Sequence, residues 1–484
     1  MPLRNAVVLI LVIMGSLLCA QRASHNPYGR KFVEVFEKID RNSLEVVPPR
    51  ELYDAAINGM VAKLIESGDK HSRYVPPQGT EELRQSLNQE IIGVGIYLDH
   101  NTKTNEFVVI SPVYGTPAYK SGVLAGDTIL AVDDVDISGM TTDDVTKRIK
   151  GNEGEEVTLT VRHLEEQKKT DIRIVRQRIK IPTVLGDHHN DKGLWDFHLE
   201  SDRRIGFVRL KGFGPDTHND LVTALRGLRE NGAKALVLDL RGNPGGFLNA
   251  ALEICGLFLD KDQVIVTTRG RREKLKESYK APEMGEFRDL PIAMLINGQS
   301  ASASEILAAC LQDHGRAVLC GSRTYGKGTV QNVMDLEGGR SQLKLTTAGF
   351  WRPSERNIRR STNATESDVW GVLPDPGFEV KLTNDQIKAI RKVLTLREMS
   401  PAAAAALESK RAKQKSPSKT TPKTTPKTPT KTTPDAPSKD DKTKENATGD
   451  GKPLPWPQVD PQLMKAIEYL QKTLGDRGSS RRAA

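Results

Sequence analysis

The fold is decided by residues 292–311, which read IAMLINGQSASASEILAACL. The stretch begins with a continuous apolar run, Ile292–Ile296, which is typical of a parallel strand buried on both of its faces. A polar turn follows, and the apolar spacing then becomes helical from Ser302 to Leu311. The stretch therefore predicts a buried strand, a turn and a helix in direct succession.

The same alternation of apolar strands and amphipathic helices continues on both sides of this stretch. Strands are predicted at 204–210, 235–240, 317–320, 329–333 and 342–347, and helices at 217–231 and 248–258. Alternation of this kind predicts an α/β core, in which crossover helices cover a layered sheet.

A different pattern occupies the chain before this block. Residues 89–180 contain short alternating strands separated by glycine turns, together with one helix at 142–150, and so predict a compact β-rich module. Two segments with helical spacing, 31–42 and 49–65, precede the module. Their apolar stripes fit a core or a partner surface.

The C-terminal region combines a polar spacer with one more helix. A helix that begins near Asn384 is predicted to end at Ala406, and residues 416–437 are then almost entirely Thr, Pro and Lys, which is typical of a semi-rigid disordered spacer. Amphipathic spacing predicts a last helix over 461–474 with Asp460 as its N-cap. Because a helix of that length is marginal alone, we expect it to dock on the body of the protein or on a partner.

These patterns divide the chain into six predicted segments. They are 1–24, a signal peptide or membrane anchor; 25–88, a helical region; 89–180, the β-rich module; 181–400, the α/β core; 401–455, the Thr/Pro/Lys-rich linker; and 456–484, the C-terminal helix and tail. The first segment rests on Arg4 and on the apolar run 6–20, which is short for a membrane span of about 20 residues but typical of a signal peptide. We therefore expect export to the cell envelope or periplasm, with cleavage, lipidation and membrane anchoring left open.

The formal net charge of +9 is concentrated in the linker. Residues 410–452 contain 12 Lys or Arg and 5 Asp or Glu, so they carry +7 of that total and leave about +2 for the rest of the chain. A solvated linker of this kind is not a folded basic surface, and no nucleic-acid-binding motif occurs. A nucleic-acid partner is therefore not expected.

The cysteine and histidine positions do not indicate a metal site. Cys255, Cys310 and Cys320 lie outside any CxxC spacing, and we expect them to be buried thiols. His188 and His189 lie in a polar stretch, and we expect them to be solvated in a loop.

Three segments carry residue types suited to acyl-transfer chemistry. They read DLRGNPGG over 239–246, NGQSASASE over 297–305 and YGKGTVQ over 325–331. Paired glycines let the main chain bend and present N–H groups to a ligand. A serine at a helix start lies beside free N–H groups and the positive helix end, which stabilise an oxyanion. Spacing alone does not choose among Ser300, Ser302 and Ser304.

Lys327 is flanked by glycines and leads into a predicted strand. As a base its amine must be neutral, whereas the ordinary lysine pKa is about 10.4, and burial lowers that pKa by disfavouring the ammonium form. On a strand, positions 327, 329 and 331 share a face, so Gln331 could hydrogen-bond the amine and orient it. No Ser–His–Asp arrangement competes, because His314 lies at the far end of the helix that carries the serines.

Together and in this order, the three segments resemble the tail-specific, or carboxy-terminal-processing, proteases. The likeness runs over about residues 53–375. It implies that Ser302 is the nucleophile, that Lys327 is the general base and that Gln331 is the third catalytic residue.

The same likeness implies an oxyanion hole made of main-chain N–H groups. Ala303 supplies one of them, and the second belongs to Gly245 or Gly246, which are not distinguished. The likeness implies no cofactor and no metal. The sequence departs from the family pattern at residues 357–369, which are long and charged where a short turn is expected.

The β-rich module resembles a PDZ domain. Gly93, Val94, Gly95 and Ile96 match its carboxylate-binding loop, and residues 116–134 match the turn and strand that follow. The likeness implies that the N–H groups of this loop bind the terminal carboxylate of a substrate, whose tail adds as a strand.

The sequence thus predicts an exported serine endopeptidase that cleaves proteins near their C-termini, with a crotonase-like α/β core and an inserted PDZ domain. The expected partners are the C-terminal tails of proteins or peptides. Membrane association through the N-terminus and a homodimer through the N-terminal apolar stripes are further expectations. Two alternatives stay open at this point, a PDZ-type envelope binding protein with an inactive body and a different acyl-transfer enzyme on the crotonase-like core.

Overall fold

The computed structural model describes Met14 and residues 27–101, 104–113, 115–163, 169–190, 193–399 and 455–482. The helices in these ranges are α1 (Pro27–Asn42), α2 (Pro49–Glu66), α3 (Pro77–Asn88), α4 (Pro117–Lys120), α5 (Thr142–Ile149), α6 (Thr217–Glu230), α7 (Leu248–Gly256), α8 (Ala303–Asp313), α9 (Asn384–Arg397) and α10 (Pro461–Arg482). Apart from Met14, the predicted signal segment lies outside the described residues, and so does the Thr/Pro/Lys-rich stretch.

The strands in the described ranges are mostly short. They are β1 (Arg73–Val75), β2 (Glu90–Gly93), β3 (Ile96–Asn101), β4 (Glu106–Pro112), β5 (Thr128–Val132), β6 (Val135–Asp136), β7 (Glu156–Arg162), β8 (Lys169–Val175), β9 (Gln177–Lys180), β10 (Val184–Leu185), β11 (His188–His189), β12 (Trp195–Asp196), β13 (His198–Leu199), β14 (Asp202–Leu210), β15 (Ala235–Asp239), β16 (Val264–Arg269), β17 (Leu275–Lys280), β18 (Ile292–Ile296), β19 (Ala317–Gly321), β20 (Thr329–Leu336) and β21 (Ser341–Trp351).

The chain forms two compact units, of which the first is the smaller. It comprises the described residues up to Thr80 together with 331–346. Within it, β1 pairs antiparallel with β21, so that Tyr74 lies opposite Leu343. Arg50 of α2 donates to the Tyr74 hydroxyl at 2.7 Å and so ties the helix to this strand pair.

The second unit contains residues 81–330 and those from 347 onwards, and its centre is a parallel sheet. The strand order is β10-β14-β15-β18-β19, and the last four strands run parallel. Every residue of β15 and β18 is buried, because helices cover both faces of the sheet. This double covering explains the continuous apolar runs in the sequence, and the α/β prediction is confirmed.

The last helix covers one face of this sheet, as the sequence predicts. Its buried stripe consists of Leu463, Ala466, Ile467 and Leu470, which pack against Phe207, Val237 and Leu295 of the strands. Asp460 is the N-cap, since its Oδ1 accepts the N–H groups of Gln462 and Leu463, each at 3.1 Å. The helix is longer than predicted and ends at Arg482. No helix among the described residues is long and apolar enough to cross a membrane.

The β-rich module has its own core within the second unit. Its antiparallel strands lie in the order β3-β4-β5-β7-β8, and α5 packs its buried Val145 and Ile149 into the same apolar cluster. Thr141 caps α5 through a capping box with Asp144. In β7, buried and half-buried residues alternate, as expected of a sheet with one covered face.

Two expectations need correction. Helix α9 ends at Arg397 rather than at Ala406, and the Arg397 guanidinium binds Asp187 beyond the helix. His188 and His189 are not in a solvated loop but form β11, where the His189 ring stacks on Trp195 at 3.8 Å.

The cysteines follow the prediction. Cys255, Cys310 and Cys320 are free and buried.

Candidate active site

The nucleophile candidate lies where α8 begins, just beyond the carboxyl end of β18. Ser302 is the residue before the helix, and its main chain has φ +56° and ψ −116°. A positive φ is strained for a residue with a side chain, and such strain is typical of functional sites. Ser302 is therefore held in a conformation that only its surroundings can maintain.

The structure separates the three serines that the sequence leaves equivalent. Ser300 and Ser304 are fully buried, and their hydroxyls donate to the carbonyls of Leu240 at 2.8 Å and Asn243 at 3.0 Å. Both hydroxyls thus tie the helix start to the glycine loop after β15. Ser302 is half-buried, and it is the serine that a substrate can reach.

Lys327 lies in a loop, and the strand that follows it begins at Thr329, as predicted. The rule that alternate strand residues share a face therefore does not place it. Its glycine neighbours allow close packing instead: a Cβ at Gly326 would lie 2.7 Å from Arg360 Cβ. The Gly326 carbonyl also accepts the Arg360 N–H at 2.9 Å.

The long charged segment of residues 357–369 supplies this packing. The Trp370 ring that follows it lies between two guanidinium groups, with Arg323 at 4.4 Å and Arg360 at 4.3 Å from its centre. Because Arg323 precedes the Lys327 loop, the contact between its guanidinium and the Trp370 ring holds the segment 357–369 against that loop. The segment that departs from the family pattern thus packs against the glycines on either side of Lys327.

Glu305 joins the serine and lysine segments. It is fully buried, and its Oε2 accepts the Ser302 N–H and the Lys327 N–H, each at 2.8 Å. Its Oε1 accepts the Gly326 N–H and the Thr324 hydroxyl, each at 2.6 Å. One carboxylate therefore fixes the main chain of both candidate catalytic residues. Sequence reasoning assigned Glu305 no role, although Ser-x-x-Glu at a helix start is the pattern of a capping box.

Burial and charge act in opposite directions on Lys327. Burial lowers its pKa, and the nearby Glu305 carboxylate partly restores it. Burial likewise raises the pKa of Glu305, while its four hydrogen bonds oppose that rise. Three of these four donors are main-chain N–H groups, which can only donate, so they favour the ionised carboxylate.

Between the described side chains of Ser302 and Lys327 themselves there is no hydrogen bond. The two amide nitrogens, which share one oxygen of Glu305, are separated by no more than twice 2.8 Å. The main chains of the two residues are therefore close neighbours.

The glycine loop after β15 packs directly on the serine. A Cβ at Gly245 would lie 2.8 Å from Ser302 Cβ and 2.9 Å from the Ala303 nitrogen, so no side chain fits there. The Gly245 N–H donates to Asn243 Oδ1 at 2.9 Å. The N–H groups of Gly246 and Ala303 have no acceptor within the part of the chain that the structure describes. These two groups remain available to an oxyanion.

Gln331 belongs to the first unit, whereas Lys327 belongs to the second. The Gln331 amide donates to Thr346 Oγ1 at 3.5 Å within its own unit. Its role toward Lys327 stays a prediction.

The predicted tail-binding loop lies between β2 and β3. Gly95 has φ +82°, and a Cβ there would lie 2.5 Å from the Thr116 side chain. The carbonyls of Val94 and Gly95 accept N–H groups at 2.9 Å, whereas their own N–H groups have no acceptor among the described residues. Of the strands that the structure describes, only β4 pairs with β3. The loop thus offers free N–H groups beside an open strand edge.

One cluster has the residue types of a metal site. Ligand atoms of Asp187, His188 and Glu200 all lie within 4.8 Å of one another. The Arg397 guanidinium occupies this cluster, at 2.5 Å from Asp187 and 3.1 Å from Glu200. A cation is thus already supplied by the chain, and the cluster is an ion-pair anchor for the end of α9.

The chain is similar to several known proteins. The pattern of peptidase family S41 matches residues 204–375, and that of the PDZ domain matches residues 108–163. A carboxy-terminal-processing protease of Bartonella bacilliformis is 36% identical over 387 residues, which cover 78% of this chain and 84% of the relative. A carboxyl-terminal-processing protease of Picosynechococcus is 32% identical over 68% of this chain and 74% of its own length.

A solved structure, that of a photosystem II D1 C-terminal processing protease, covers 77% of this chain and 98% of its own length. Its sequence identity is 26% and its TM-score is 0.42.

The fold and the sequence matches define a serine-type endopeptidase with a PDZ domain. The chain belongs to peptidase family S41, among the carboxy-terminal-processing proteases.

Proposed function

We propose that the protein is an exported carboxy-terminal-processing protease that works through a Ser302–Lys327 dyad. The observation that carries this proposal is the position of Glu305, whose one oxygen accepts the N–H groups of both residues at 2.8 Å. A capping box requires only the contact between Glu305 and the Ser302 N–H. The further contacts of the same carboxylate with the Lys327 segment indicate that Glu305 also holds the two segments together.

In the proposed mechanism Lys327, in its neutral form, takes the proton of the Ser302 hydroxyl. Ser302 Oγ then attacks the scissile carbonyl carbon, and the carbonyl oxygen becomes an oxyanion. The N–H groups of Ala303 and Gly246 stabilise that oxyanion. Lys327 gives that proton to the leaving amine. The neutral Lys327 amine then takes a proton from water, which attacks the acyl-enzyme, and passes the proton to the departing Ser302 Oγ.

Gly246 is preferred over Gly245 as the second oxyanion donor. The Gly245 N–H is engaged by Asn243 Oδ1 at 2.9 Å. Phe213 donates to the Gly245 carbonyl and accepts from the Phe247 N–H, so the N–H of the intervening Gly246 lies on the side away from Phe213.

The PDZ domain is proposed to bind substrate tails. The free N–H groups of Val94 and Gly95 suit a terminal carboxylate, and the open edge of β3 suits an added strand. Gln331 is proposed to orient the Lys327 amine. Export rests on the apolar run 6–20, and association with a membrane or a second copy of the chain through the N-terminal region is part of the same proposal.

The proposal is tested with purified Ser302→Ala and Lys327→Ala variants and a fluorogenic peptide that ends in an apolar C-terminal tail. We expect both variants to lose cleavage by at least about 10³-fold and to keep tail binding, measured by fluorescence anisotropy. A serine-reactive fluorophosphonate should label Ser302 in the wild type, as mapped by mass spectrometry. Cleavage that persists in both variants would reject the dyad, and binding without cleavage in the wild type would favour the inactive adaptor.

A further inference from the structure

Arg241 lies between the end of β15 and the glycine loop of the proposed oxyanion hole. Its side chain is only 9% exposed. Its Nε and Nη2 donate to the Asp239 carboxylate at 3.0 and 2.8 Å. Burial lowers the pKa of the guanidinium, but the Asp239 and Asp460 carboxylates outweigh burial and raise that pKa further above its already high ordinary value. The residue is therefore a permanently charged group inside the protein.

Asp239 accepts hydrogen bonds from one side of this guanidinium, and residues at the start of the C-terminal helix accept them from the other side. Asp460 lies within 3.0 Å of Arg241 Nη1 and within 2.8 Å of its Nη2, and the side-chain Oε1 of Gln462 lies 3.1 Å from Nη1. Asp460 is completely buried. Asp460 and Gln462, which follow the Thr/Pro/Lys-rich linker, are thus the remaining hydrogen-bond and ion-pair partners of the Arg241 guanidinium beside the proposed active site.

The segment from Arg241 to the oxyanion loop is held in place by hydrogen bonds. The Gly242 N–H donates to Asn297 Oδ1 at 3.1 Å, and the side-chain Nδ2 of Asn243 donates to the Leu210 carbonyl at 2.7 Å. The Asn243 carbonyl in turn accepts the Ala301 N–H at 3.0 Å, next to the nucleophile. A displacement of Arg241 is therefore passed to the glycine N–H groups and to the start of α8.

We propose that Asp460 is a positioning residue for the proteolytic reaction, which holds Arg241 and through it the oxyanion loop. The start of the C-terminal helix then positions the catalytic loop, whereas the apolar stripe further along the helix only covers the sheet. This inference rests on the proposed function, because it gives Asp460 an effect only on a reaction that uses this loop.

A purely structural role for Asp460 predicts a different result. The apolar stripe of α10 packs on the sheet independently of the ion pair, so loss of docking can be produced without touching Arg241. Leu470→Ala is the matched control, because Leu470 is fully buried on the same helix and far along it from Asp460. Asp460→Asn keeps the N-cap oxygen for the Gln462 and Leu463 N–H groups and removes the charge.

The test uses the full chain and measures kcat, KM, the fluorophosphonate labelling rate of Ser302 and the unfolding temperature. For Asp460→Asn we expect kcat and the labelling rate to fall by about tenfold or more, with KM within about twofold. For Leu470→Ala we expect a lower unfolding temperature and unchanged kcat where the protein is folded. Arg241→Gln combined with Asp460→Asn should lose no more activity than Arg241→Gln alone, because both changes act through one contact.

The outcomes separate this inference from the proposed function. A wild-type chain that is not labelled at Ser302 contradicts the proposed function itself. A labelled wild type, with Asp460→Asn labelled at the same rate or with losses that add in the double variant, overturns the inference alone. If Asp460→Asn does not fold, Gln462→Leu serves instead, since it removes one acceptor of Arg241 and leaves both charges. It should lower kcat severalfold, and unchanged kcat in that variant overturns the inference as well.

Discussion

The serine segment and the lysine segment reach the same site by different means. Ser302 is placed by elements that follow one another in the chain, the buried strand β18, a short turn and helix α8. Lys327 lies in a loop outside any helix or strand, and its main chain is fixed by Glu305 and by Arg360. The proposed nucleophile is thus positioned by local structure, and the proposed base is positioned by contacts between distant parts of the chain.

This difference explains why one residue carries strain and the other carries a shifted pKa. The strained φ of Ser302 is maintained by a rigid strand and helix on either side. Lys327 needs burial to stay neutral, and burial requires that segments from elsewhere cover it. Changes near the lysine should therefore disturb the chemistry more readily than equally conservative changes near the serine.

The largest effect is expected for Lys327→Met, which keeps the length of the side chain and removes the amine. Cleavage should fall by at least about 10³-fold in steady-state assays. Stability should change in the opposite direction. The pKa of Lys327 is lower in the folded protein than its ordinary value of 10.5. Between these two pKa values the unfolded chain binds more protons than the folded protein, so stability rises with pH. Below this range, the ammonium form of Lys327 in the folded protein costs stability.

The variant should accordingly unfold at a higher temperature than the wild type at pH 7. The difference should shrink as the pH rises through the folded pKa toward 10.5. Lys381→Met, at a side chain that is 82% exposed, is the control and should change neither property. A Lys327→Met protein that is less stable than the wild type at neutral pH would contradict the lowered pKa of the Lys327 amine.

The next effect concerns the residue that links the two segments. Glu305→Gln replaces one acceptor oxygen by an N–H₂ group, which then faces main-chain N–H donors. We expect kcat to fall by about 100-fold, because the serine and lysine segments lose their common anchor. Glu230→Gln, on the exposed end of α6, is the control. A Glu305→Gln enzyme with kcat within twofold of the wild type would show that the link is dispensable.

A smaller effect is expected where the glycine loop meets the serine. Gly245→Ala would place a Cβ 2.7 Å from the Ala301 carbonyl and 2.8 Å from Ser302 Cβ, so we expect kcat to fall by roughly 10- to 100-fold. Gly242→Ala is the matched control: its φ is also positive, but the new Cβ would meet only Gln299 Oε1 at 3.8 Å. The control should lose about 1 kcal/mol of stability and little activity. Equal activity losses in both variants would mean that main-chain strain, not contact with the serine, is responsible.

The smallest effect on chemistry is expected in the PDZ domain. Gly95→Ala would place a Cβ 2.5 Å from Thr116 and so distort the loop, whereas a Cβ at Gly115 would meet nothing within 4 Å. For Gly95→Ala we expect about tenfold weaker tail binding by anisotropy, with unchanged labelling of Ser302. Tail binding that is equally tight in the Gly95→Ala and Gly115→Ala variants would place the carboxylate elsewhere.

The sequence predicts the parts of the molecule that local patterns determine. The strands and helices of the core follow from continuous apolar runs and helical spacing, and the N-cap of the last helix follows from Asp460. Spacing alone leaves three serines equivalent, and the family resemblance selects Ser302. The structure adds that the hydroxyls of Ser300 and Ser304 are occupied by carbonyls of the loop after β15. The domain limits and the part played by Gln331 stay predictions.

What the sequence misses is long-range. Glu305 was assigned no role because its partners, 19 and 22 residues away, become visible only in the fold. The segment 357–369 was seen as a departure from a pattern, and its packing on the Lys327 loop depends on a stacked Trp370. The strand after Lys327 begins at Thr329 as predicted, so Lys327 itself lies in the preceding loop and shares no strand face with Gln331.

The central claim is that the half-buried Lys327 amine is neutral at the working pH and activates Ser302. The most direct measurement is the rate of fluorophosphonate labelling of Ser302 as a function of pH, in the wild type and in Lys327→Met. The wild-type rate should rise with pH through an apparent pKa well below 10.5, and the variant should be slow at every pH without that step. A wild-type profile that rises only near the ordinary lysine pKa, or the same rise in the variant, would contradict the account.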